Sequence, residues 1–430
     1  MGPSPTLAHV SHATPVEIVN PVPADEIDGW VRALATAFLE DPNGPMVTRW
    51  TEGIKRVWDP RRAWGARDDG RWVAAFRSEA RRLTVPGLED QTHELAVEAV
   101  TNVAVAASHR RRGVMSSMVE DSLRAARERG DAASVLIAAE WPIYGRFGYA
   151  PATLSAGYTL RLSRRGAVVE GDPASVRQVD LQEFADYAPG VFGAARVQRA
   201  GQMDRDTEWW NRTLGRDGYP PSEGLPAVWL LHAGPDGPDG LLAWRAEGQG
   251  GLIPPFPKVN VWDLTAATET AYRDLWAYLS GIDGVDEVAL STRAVDEPVR
   301  WLLPDARTLL MTEWVDFVWL RLLDVPAALT ARRYQVPGEL VLEVVDDQAG
   351  GYASGRYRLT ADGDDVSCEP TAAEPDLQIS QRGLASIYLG GFRLAPQRLA
   401  GAAVERRRGA LARVDLMFST PLAPWNATSF

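Results

Sequence analysis

The segment VEAVTNVAVAASHRRRGVMSSMVEDSLRAARER, residues 97–129, decides how this chain folds. Its first nine residues, from Val97 to Val105, alternate between two sets of side chains, as the two faces of a β-strand do. A polar stretch then leads to Gly113, after which apolar residues recur at helical spacing until Gly130. The segment therefore predicts a strand, a turn and an amphipathic helix, in that order.

The turn between this strand and this helix contains Arg110-Arg111-Arg112-Gly113. The N-terminus of a helix presents unpaired N–H groups and the positive end of the helix dipole, so it is suited to binding phosphate. A glycine allows the backbone to approach a diphosphate closely, and Arg110 and Arg111 add charged hydrogen-bond donors. The context therefore predicts a phosphate-binding turn.

A second copy of the same tetrapeptide provides an internal comparison. Residues 406–409 repeat it after Glu405, but they follow a predicted helix instead of a strand. Because an arginine cluster beside a glycine also occurs in ordinary solvated turns, the tetrapeptide alone does not identify a binding site. The preceding strand and the following helix are what distinguish residues 110–113.

Outward from this segment, the chain shows three regions. An apolar run at 134–139 predicts a buried strand that pairs in parallel with the strand at 97–105 through a right-handed crossover. Residues 157–318 repeat the strand–helix–strand order, and residues 338–430 place strands before helices, as an α+β domain does. The other predicted elements are helices at 27–38, 46–58, 268–279, 381–389, 396–408 and 409–416, a hairpin of 61–68 with 71–86, and strands at 16–19, 259–264, 287–290, 340–345, 355–360 and 376–380.

The composition limits the classes of function. The 430 residues exceed what one hydrophobic core usually supports, so two or three domains are expected. A net charge of −12 argues against nucleic acid as the main partner and is compatible with a cationic substrate. Cys368 is the only cysteine, which excludes an internal disulfide, and the five histidines are scattered, so no metal site is expected.

The sequence also indicates where in the cell the protein is expected. It lacks the pattern of a secretion signal, and no apolar run approaches the ~18 residues that span a bilayer. We therefore expect a cytoplasmic protein without membrane contact, preceded by a disordered tail at 1–15. Asn426-Ala427-Thr428 fits a glycosylation sequon, which a cytoplasmic protein does not use.

Several segments, in their order along the chain, resemble the Eis (enhanced intracellular survival) family of GNAT acetyltransferases. The likeness covers nearly the whole chain, and the order of the segments is more specific than any one of them. The segments are Val103-Ala104-Val105, Arg110-Arg111-Arg112-Gly113, EWPIYGRFGY at 140–149, WLRLLDVPAAL at 319–329 followed by Arg332-Arg333-Tyr334, and the final WNATSF at 425–430.

The resemblance implies a mixed α/β (α+β) fold, with tandem GNAT-type domains followed by a sterol-carrier-protein-like C-terminal domain. It places the first GNAT domain at 16–156, a second one without a CoA signature at 157–318, and the sterol-carrier-like domain at 319–430. It also implies a homo-oligomer, a hexamer, that uses acetyl-CoA as co-substrate. The family acetylates primary amines, including those of aminoglycosides.

The same resemblance assigns site residues by position. Tyr144 is implied as the general acid, and the terminal carboxylate of Phe430 as the general base or a group near it. Tyr149, five residues after Tyr144, is expected to be structural. The residues implied to contact acetyl-CoA, through the pantetheine arm or the pyrophosphate, are Val103, Ala104, Val105, Arg110, Arg111, Gly113, Val114 and Met115.

Some positions depart from the family pattern and put the substrate range in doubt. The family usually has small residues where Trp141-Pro142 stand, and commonly a serine where Ala139 stands. Acidic residues and the 16 tryptophans would suit an aromatic-walled pocket for a cation, although exposed carboxylates on an acidic protein are the simpler explanation. The candidate acidic residues are Glu40, Asp41 and Glu140.

Two other functions stay open from the sequence. The first alternative is a non-catalytic protein that binds acyl-CoA or an apolar ligand, since a fold alone does not fix a function. The second alternative is an acetyltransferase whose acceptor is a biosynthetic amine or a protein lysine.

Overall fold

The structure is a computed structural model, and it describes residues 16–88, 91–162, 166–217, 228–248, 256–348 and 350–430. The predicted tail, 1–15, lies outside the described residues. The chain divides into two compact units. The first unit comprises the residues up to Ser78 together with Thr101–Ser122, and the second comprises Glu79–Val100 and Leu123–Phe430.

The first unit begins with a small antiparallel sheet. Strand β1 pairs with β2, and β2 pairs with β3 through a turn in which Asp69 and Gly70 both have positive φ. This pairing confirms the predicted hairpin. The elements that begin in this unit or reach into it are β1 (Glu17–Val19), α1 (Ile27–Ala37), α2 (Pro45–Arg56), β2 (Ala63–Asp68), β3 (Arg71–Pro86), β4 (Thr92–Val105) and α3 (Val114–Glu128).

The core of the first unit forms around α1, which confirms the helix predicted at 27–38. Trp30, Val31 and Leu34 are fully buried, because their helical spacing places them on one face. They pack in one cluster with Ala75 of β3 and Ala104 of β4. The strand that leads into the predicted phosphate-binding turn is therefore part of this core.

The second unit contains the rest of β3, β4 and α3 and all later elements. These are β5 (Ala133–Ile137), α4 (Trp141–Gly145), β6 (Ala150–Pro151), β7 (Leu154–Arg161), β8 (Val176–Val179), α5 (Leu181–Arg196), α6 (Thr207–Leu214), β9 (Val228–Gly234), β10 (Gly237–Glu247), β11 (Lys258–Ala266), α7 (Glu269–Ser280), β12 (Glu287–Arg293), β13 (Leu309–Asp316), β14 (Val318–Leu322), α8 (Val325–Ala331), β15 (Gly338–Val345), β16 (Gly355–Asp362), β17 (Asp365–Pro370), β18 (Leu377–Ser380), α9 (Gln381–Ile387), α10 (Leu394–Gln397), β19 (Ala403–Glu405) and α11 (Ala410–Met417).

Among the described residues of this unit, three strand pairs are parallel: β15 with β18, and the two pairs that the strand–helix–strand patterns predict. Residues Val97–Val100 of β4 pair in parallel with β5, and β11 pairs in parallel with β12 around α7. Strand β14 lies between β5 and β6 and is antiparallel to both. A separate sheet has the order β13-β7-β12-β11-β10-β9-β8.

The chain passes between these two sheets at a short crossing near Thr153. Strands β6 and β14 belong to one sheet, whereas their chain neighbours β7 and β13 belong to the other. The Thr153 hydroxyl accepts a hydrogen bond from the Val318 N–H at 3.0 Å, which ties the outgoing and returning segments together. The predicted domain boundaries at 156 and 318 stay predictions.

The third sheet, β17-β16-β15-β18-β19, corrects one predicted helix. The helix predicted at 396–408 is wrong, because α10 ends at Gln397 and Gly401 has a φ of +78°. Residues 403–405 instead form β19, which pairs antiparallel with β18. This partner is some 25 residues away, so local spacing does not reveal it.

No helix within the described ranges has the length and apolar character that crossing a membrane requires.

Candidate functional site

The turn between β4 and α3 belongs to the first unit and has an unusual backbone. A single 3-10 turn at Ala107–His109 is followed by Arg111 and Gly113, whose φ angles are +63° and +81°. A Cβ added to Gly113 would have no protein atom within 4 Å. The glycine is therefore required for its φ, and the space beside it is open.

Helix α3 begins directly after this glycine. The N–H of Ser117 donates to the carbonyl of Gly113 at 3.0 Å. The N–H groups that precede Ser117 at the start of the helix have no carbonyl one turn earlier within the helix. Val114 and Met115, which the family resemblance implies as cofactor-binding, are the first two residues of α3.

One carboxylate holds part of this turn in place. Asp68, at the end of β2, has its Oδ2 2.8 Å from His109 Nε2 and 3.7 Å from Arg112 Nη1. The hydrogen bond with His109, together with the charges of His109 and Arg112, holds the pKa of Asp68 below its usual value. Arg112 therefore has a carboxylate partner within the protein.

The other two arginines of the turn have different surroundings. Arg110 and Arg111 are exposed, and Arg110 Nε donates to the carbonyl of Val105 at 3.3 Å. Within the part of the chain that the structure describes, neither forms an ion pair. Their charges are therefore available to an anion from solution.

The second copy of the tetrapeptide differs in the group at its helix terminus. Gly409 also has a positive φ, +89°, and precedes α11. There, however, Glu405 Oε1 accepts hydrogen bonds from the N–H groups of Gly409 at 2.9 Å and Leu411 at 3.1 Å. A carboxylate from the same chain already caps this helix, whereas His109 stands at the corresponding position before Arg110.

Strand β4 approaches the turn through an irregular residue that the sequence analysis missed. Asn102 has a φ of +52°, and its side-chain oxygen accepts a hydrogen bond from Arg77 Nε at 3.1 Å. Asparagine tolerates positive φ better than most residues, which is the only signal in the sequence. Residues Val103 to Val105 follow, with Ala104 buried and the two valines partly exposed.

Tyr144 lies in the second unit, on the short helix α4. Its side chain is 8% exposed, and desolvation raises the pKa of its hydroxyl to about 12. No residue in the described ranges forms a hydrogen bond with that hydroxyl. The hydroxyl therefore stays protonated at ordinary pH and has its hydrogen available for donation.

Tyr149 has the opposite surroundings, although the two rings are in edge-to-face contact at 6.2 Å. It is fully buried, and its Oη lies 2.6 Å from Ser134 Oγ. Ser134 in turn donates to Glu98 Oε2 at 3.1 Å, inside the sheet. Burial raises the pKa of Tyr149, and its hydroxyl already has a protein partner.

The last residues of the chain are held in the second unit by buried hydrogen bonds. The Asn426 side chain accepts from the N–H of Met203 at 3.1 Å and donates to the Thr428 carbonyl at 2.7 Å. Trp209 Nε1 donates to the Ser429 carbonyl at 3.0 Å, and Phe430 packs partly against a core. Asn426 and Thr428, the two key positions of the sequon, are fully buried.

A cavity of about 410 Å³ adjoins this terminal segment. It lies beyond the parallel ladder of β11 with β12, which ends at Val261 and Leu290. The side chains that line it include tryptophans and arginines, with Asp263 as the acidic residue. They include Arg205, Trp209, Arg212, Trp262, Arg293, Trp425 and Ser429.

The acidic residues and the tryptophan considered for a cation pocket are not gathered into a pocket within the described residues. Glu40, Asp41 and Glu140 are all exposed, and Asp41 accepts a hydrogen bond from the N–H of Asn43. Trp141 is also exposed, with its ring 4.9 Å from that of buried Trp319. Cys368 is buried on β17, and burial raises the pKa of its thiol to about 12.

Comparison with known families assigns three segments of the chain. A model described as an acetyltransferase (GNAT) domain matches residues 19–152, and another with the same description matches residues 201–322. A sterol carrier protein domain model matches residues 325–427.

Full-length relatives agree with these matches. An uncharacterized N-acetyltransferase of Streptomyces avermitilis is 36% identical over 415 residues, which cover 95% of this chain and 97% of the relative. The N-acetyltransferase Eis of Mycobacterium tuberculosis is 32% identical over 413 residues, which cover 92% and 96%.

Solved structures have the same architecture. The crystal structure of Eis1 from Mycobacterium abscessus has a TM-score of 0.82 at 27% identity, and the match covers 96% of this chain and 100% of that one. A GCN5-related N-acetyltransferase from Anabaena variabilis has a TM-score of 0.79 at 19% identity, a likeness that shows the fold alone.

Proposed function

The chain belongs to the Eis-like GNAT N-acetyltransferases, and from that premise we propose that it transfers the acetyl group of acetyl-CoA to the amine of a cationic small molecule. The predicted family, the fold class and the class of enzyme are confirmed by the relatives and the domain matches. The alternative of a non-catalytic binding protein is therefore not carried further. The acceptor, the roles of single residues and the assembly are proposals.

The turn that precedes α3 is the observation that supports the acetyl-CoA site. Gly113 has free space beside it, and Arg110 and Arg111 have no carboxylate partner within the described residues. In the proposal, these groups and the amides of Val114 and Met115 hold the pyrophosphate of acetyl-CoA. Backbone groups of Val103, Ala104 and Val105 take the pantetheine arm.

The reaction needs two proton transfers. The amine nitrogen bonds to the acetyl carbon and loses a proton, while the carbon–sulfur bond breaks and the sulfur gains one. At pH 7 an amine with a pKa near 10.4 is neutral in only about one molecule in 2,500, so a base must accept its proton. In the proposal the terminal carboxylate of Phe430 accepts this proton, directly or through water.

Tyr144 is proposed to donate to the departing sulfur. Its buried hydroxyl keeps its proton because the pKa is raised to about 12. Because a thiolate with a pKa of about 8.5 is a weaker base than such a tyrosinate, Tyr144 stabilises the charge that develops on sulfur through its hydrogen bond, and any proton that it gives up is replaced by the one that the amine loses. No covalent intermediate on the protein is needed, and buried Cys368 takes no part.

The acceptor class is proposed as aminoglycoside-type or other cationic amines, with a biosynthetic amine or a protein lysine as the alternative. The acidic balance of the chain, −12, supports a cationic acceptor. A cytoplasmic location and a homo-oligomeric assembly, a hexamer by family resemblance, are also part of the proposal.

The reaction itself is tested with a panel of amines. We expect the protein to release free thiol from acetyl-CoA when an accepted amine is present, and a product heavier by one acetyl group by mass spectrometry. The panel contains aminoglycosides, linear polyamines, monoamines and a lysine peptide. Thiol release with the peptide or a monoamine alone would favour the alternative acceptor, and no release with any amine contradicts the proposed function.

The pyrophosphate site is tested with two matched glycine substitutions. Gly113→Val and Gly409→Val place the same side chain at a positive φ with open space, at a similar cost of about 1–2 kcal/mol in stability. We expect Gly113→Val to weaken CoA binding ~100-fold in calorimetry, about 2.7 kcal/mol. Gly409→Val is the control and should bind CoA normally, since Glu405 already caps that helix. Equal CoA affinity of both variants and the wild type would falsify the assignment.

The role of Tyr144 is tested with Tyr144→Phe beside Tyr149→Phe. Loss of a proton donor should lower kcat ~100-fold with little change in CoA affinity. Tyr149→Phe removes a buried hydrogen bond and should cost ~1 kcal/mol of stability while kcat changes little. Because the folded pKa of Tyr144 is about 12, wild-type activity should not fall as the pH rises toward the ordinary tyrosine value of 10.0. A comparable kcat in all three proteins would rule out the assigned role.

The terminal carboxylate is tested by adding one glycine after Phe430. This addition moves the carboxylate by up to about 3.8 Å and leaves the bonds of Asn426 in place. We expect kcat to fall at least ~10-fold, most strongly for amines of high pKa. Phe430→Leu retains the carboxylate at the same position and should lose much less. A fully active extended chain contradicts a catalytic carboxylate.

A further inference from the structure

The turn that follows Tyr144 is tied to Tyr144 by its backbone. The N–H groups of Phe147 and Tyr149 both donate to the carbonyl of Tyr144, at 3.0 and 3.3 Å. The position of α4 and of Tyr144 therefore depends on where residues 146–149 are held.

A buried arginine holds this turn from the neighbouring strand. Arg321 of β14 is fully buried, and its Nη1 donates to the carbonyl of Phe147. Its Nη2 donates to Asp346 Oδ2 at 3.1 Å. The carboxylate of Asp346 is fixed in its own loop, because it also accepts from the N–H of Gln348 and of Ala353, both at 3.2 Å.

The backbone next to this contact is shaped around the guanidinium. Gly148 has a φ of +82°, and a Cβ at this position would collide with Arg321 Nη1. Glycine is thus required here both by the conformation and by the space that Arg321 occupies. A side chain at position 148 and the guanidinium of Arg321 could not occupy this space together.

The Arg321–Asp346 ion pair contributes differently to the stability of the protein and to the position of the turn after Tyr144. Both side chains of the pair are 0% exposed, so each charge loses its hydration on folding. Replacing a buried ion pair by apolar side chains of similar volume is often neutral for stability, whereas removing one partner is strongly destabilising. What apolar replacements cannot supply is the directional hydrogen bond to the Phe147 carbonyl.

The pair also connects the three segments that the domain models match. Phe147 lies in the first GNAT match, Arg321 in the second, and Asp346 in the sterol carrier match. We propose that the Arg321–Asp346 pair is a positioning device through which the sterol-carrier-like domain sets the placement of Tyr144. This inference rests on the proposed role of Tyr144 as proton donor.

The experiment combines the pair replacement with Tyr144→Phe. The double variant Arg321→Met with Asp346→Leu is made in both the wild-type and the Tyr144→Phe chain, and kcat and the KM for acetyl-CoA are measured. We expect kcat to fall ~10-fold in the wild-type background with little change in that KM, because a small displacement of a catalytic group is costly. In the Tyr144→Phe background we expect no further loss beyond about twofold, since both changes act on one step.

Two further variants keep the test decisive. If the double variant does not fold, Arg321→Lys is used in its place. The lysine ammonium keeps the positive charge opposite Asp346, but it cannot reproduce the two-sided geometry with which the guanidinium bonds both Asp346 and the Phe147 carbonyl. Arg332→Met is the control, because Arg332 is also fully buried and donates to the carbonyls of Tyr388 and Phe418. It should lower stability and leave kcat unchanged.

The outcomes distinguish this inference from the proposed function. An equal loss of kcat in both backgrounds, or no loss in the wild-type background, overturns the positioning role while Tyr144 keeps its own. A normal kcat for Tyr144→Phe alone overturns the role of Tyr144, and the inference with it. A loss confined to chains that contain Tyr144 supports the inference.

Discussion

The proposed acetyl-CoA site depends on one electrostatic arrangement, in which α3 begins beside Arg110 and Arg111, neither of which forms an ion pair within the described residues. A protein usually caps the N-terminus of a helix with a side-chain oxygen, and this chain does so at α11 with Glu405. Before α3, the position that corresponds to Glu405 is occupied by His109, whose ring forms a hydrogen bond with Asp68 instead. The N-terminus of α3 carries a partial positive charge, and Arg110 and Arg111 add to it. An otherwise acidic chain thus has a local concentration of positive charge, which suits the polyanion of the proposed site.

The sequence predicts this part of the molecule well because the signals are local. Alternation over residues 97–105 and helical spacing after Gly113 are properties of adjacent residues. Helix α3 has nearly the expected bounds, and β4 ends at Val105 as expected, although it begins earlier, at Thr92. The helix expected at 396–408 shows the limit, since pairing of β19 with β18 decides that segment. Asn102 shows the same limit within a strand, because its φ is stabilised by Arg77 from another strand.

The different surroundings of the Tyr144 and Tyr149 hydroxyls also depend on residues that are distant in the sequence. Tyr144 and Tyr149 are both aromatic residues in one short segment, and only the family resemblance separates them in the sequence. In the structure Tyr149 is bonded to Ser134 of β5, whereas the Tyr144 hydroxyl has no partner in the described ranges. The ion pair of Arg321 with Asp346 is hidden from sequence reasoning for a related reason. Arginine and aspartate are ordinarily surface residues, so their complete burial follows only from the packing of distant segments.

The net charge of the whole chain does not describe the lining of each of its cavities. The cavity beside the terminal segment is lined by Arg205 and Arg293 in a chain of charge −12. Both arginines are already paired, Arg205 with Asp263 at 2.5 Å and Arg293 with Glu297 at 2.9 Å, so their charges are largely compensated. The lining also includes tryptophan rings, and the guanidinium groups of Arg205 and Arg293 lie over the rings of Trp209 and Trp425. A formal charge of −12 therefore does not give this cavity a surplus of negative charge, because its acidic side chain, Asp263, is already paired with Arg205.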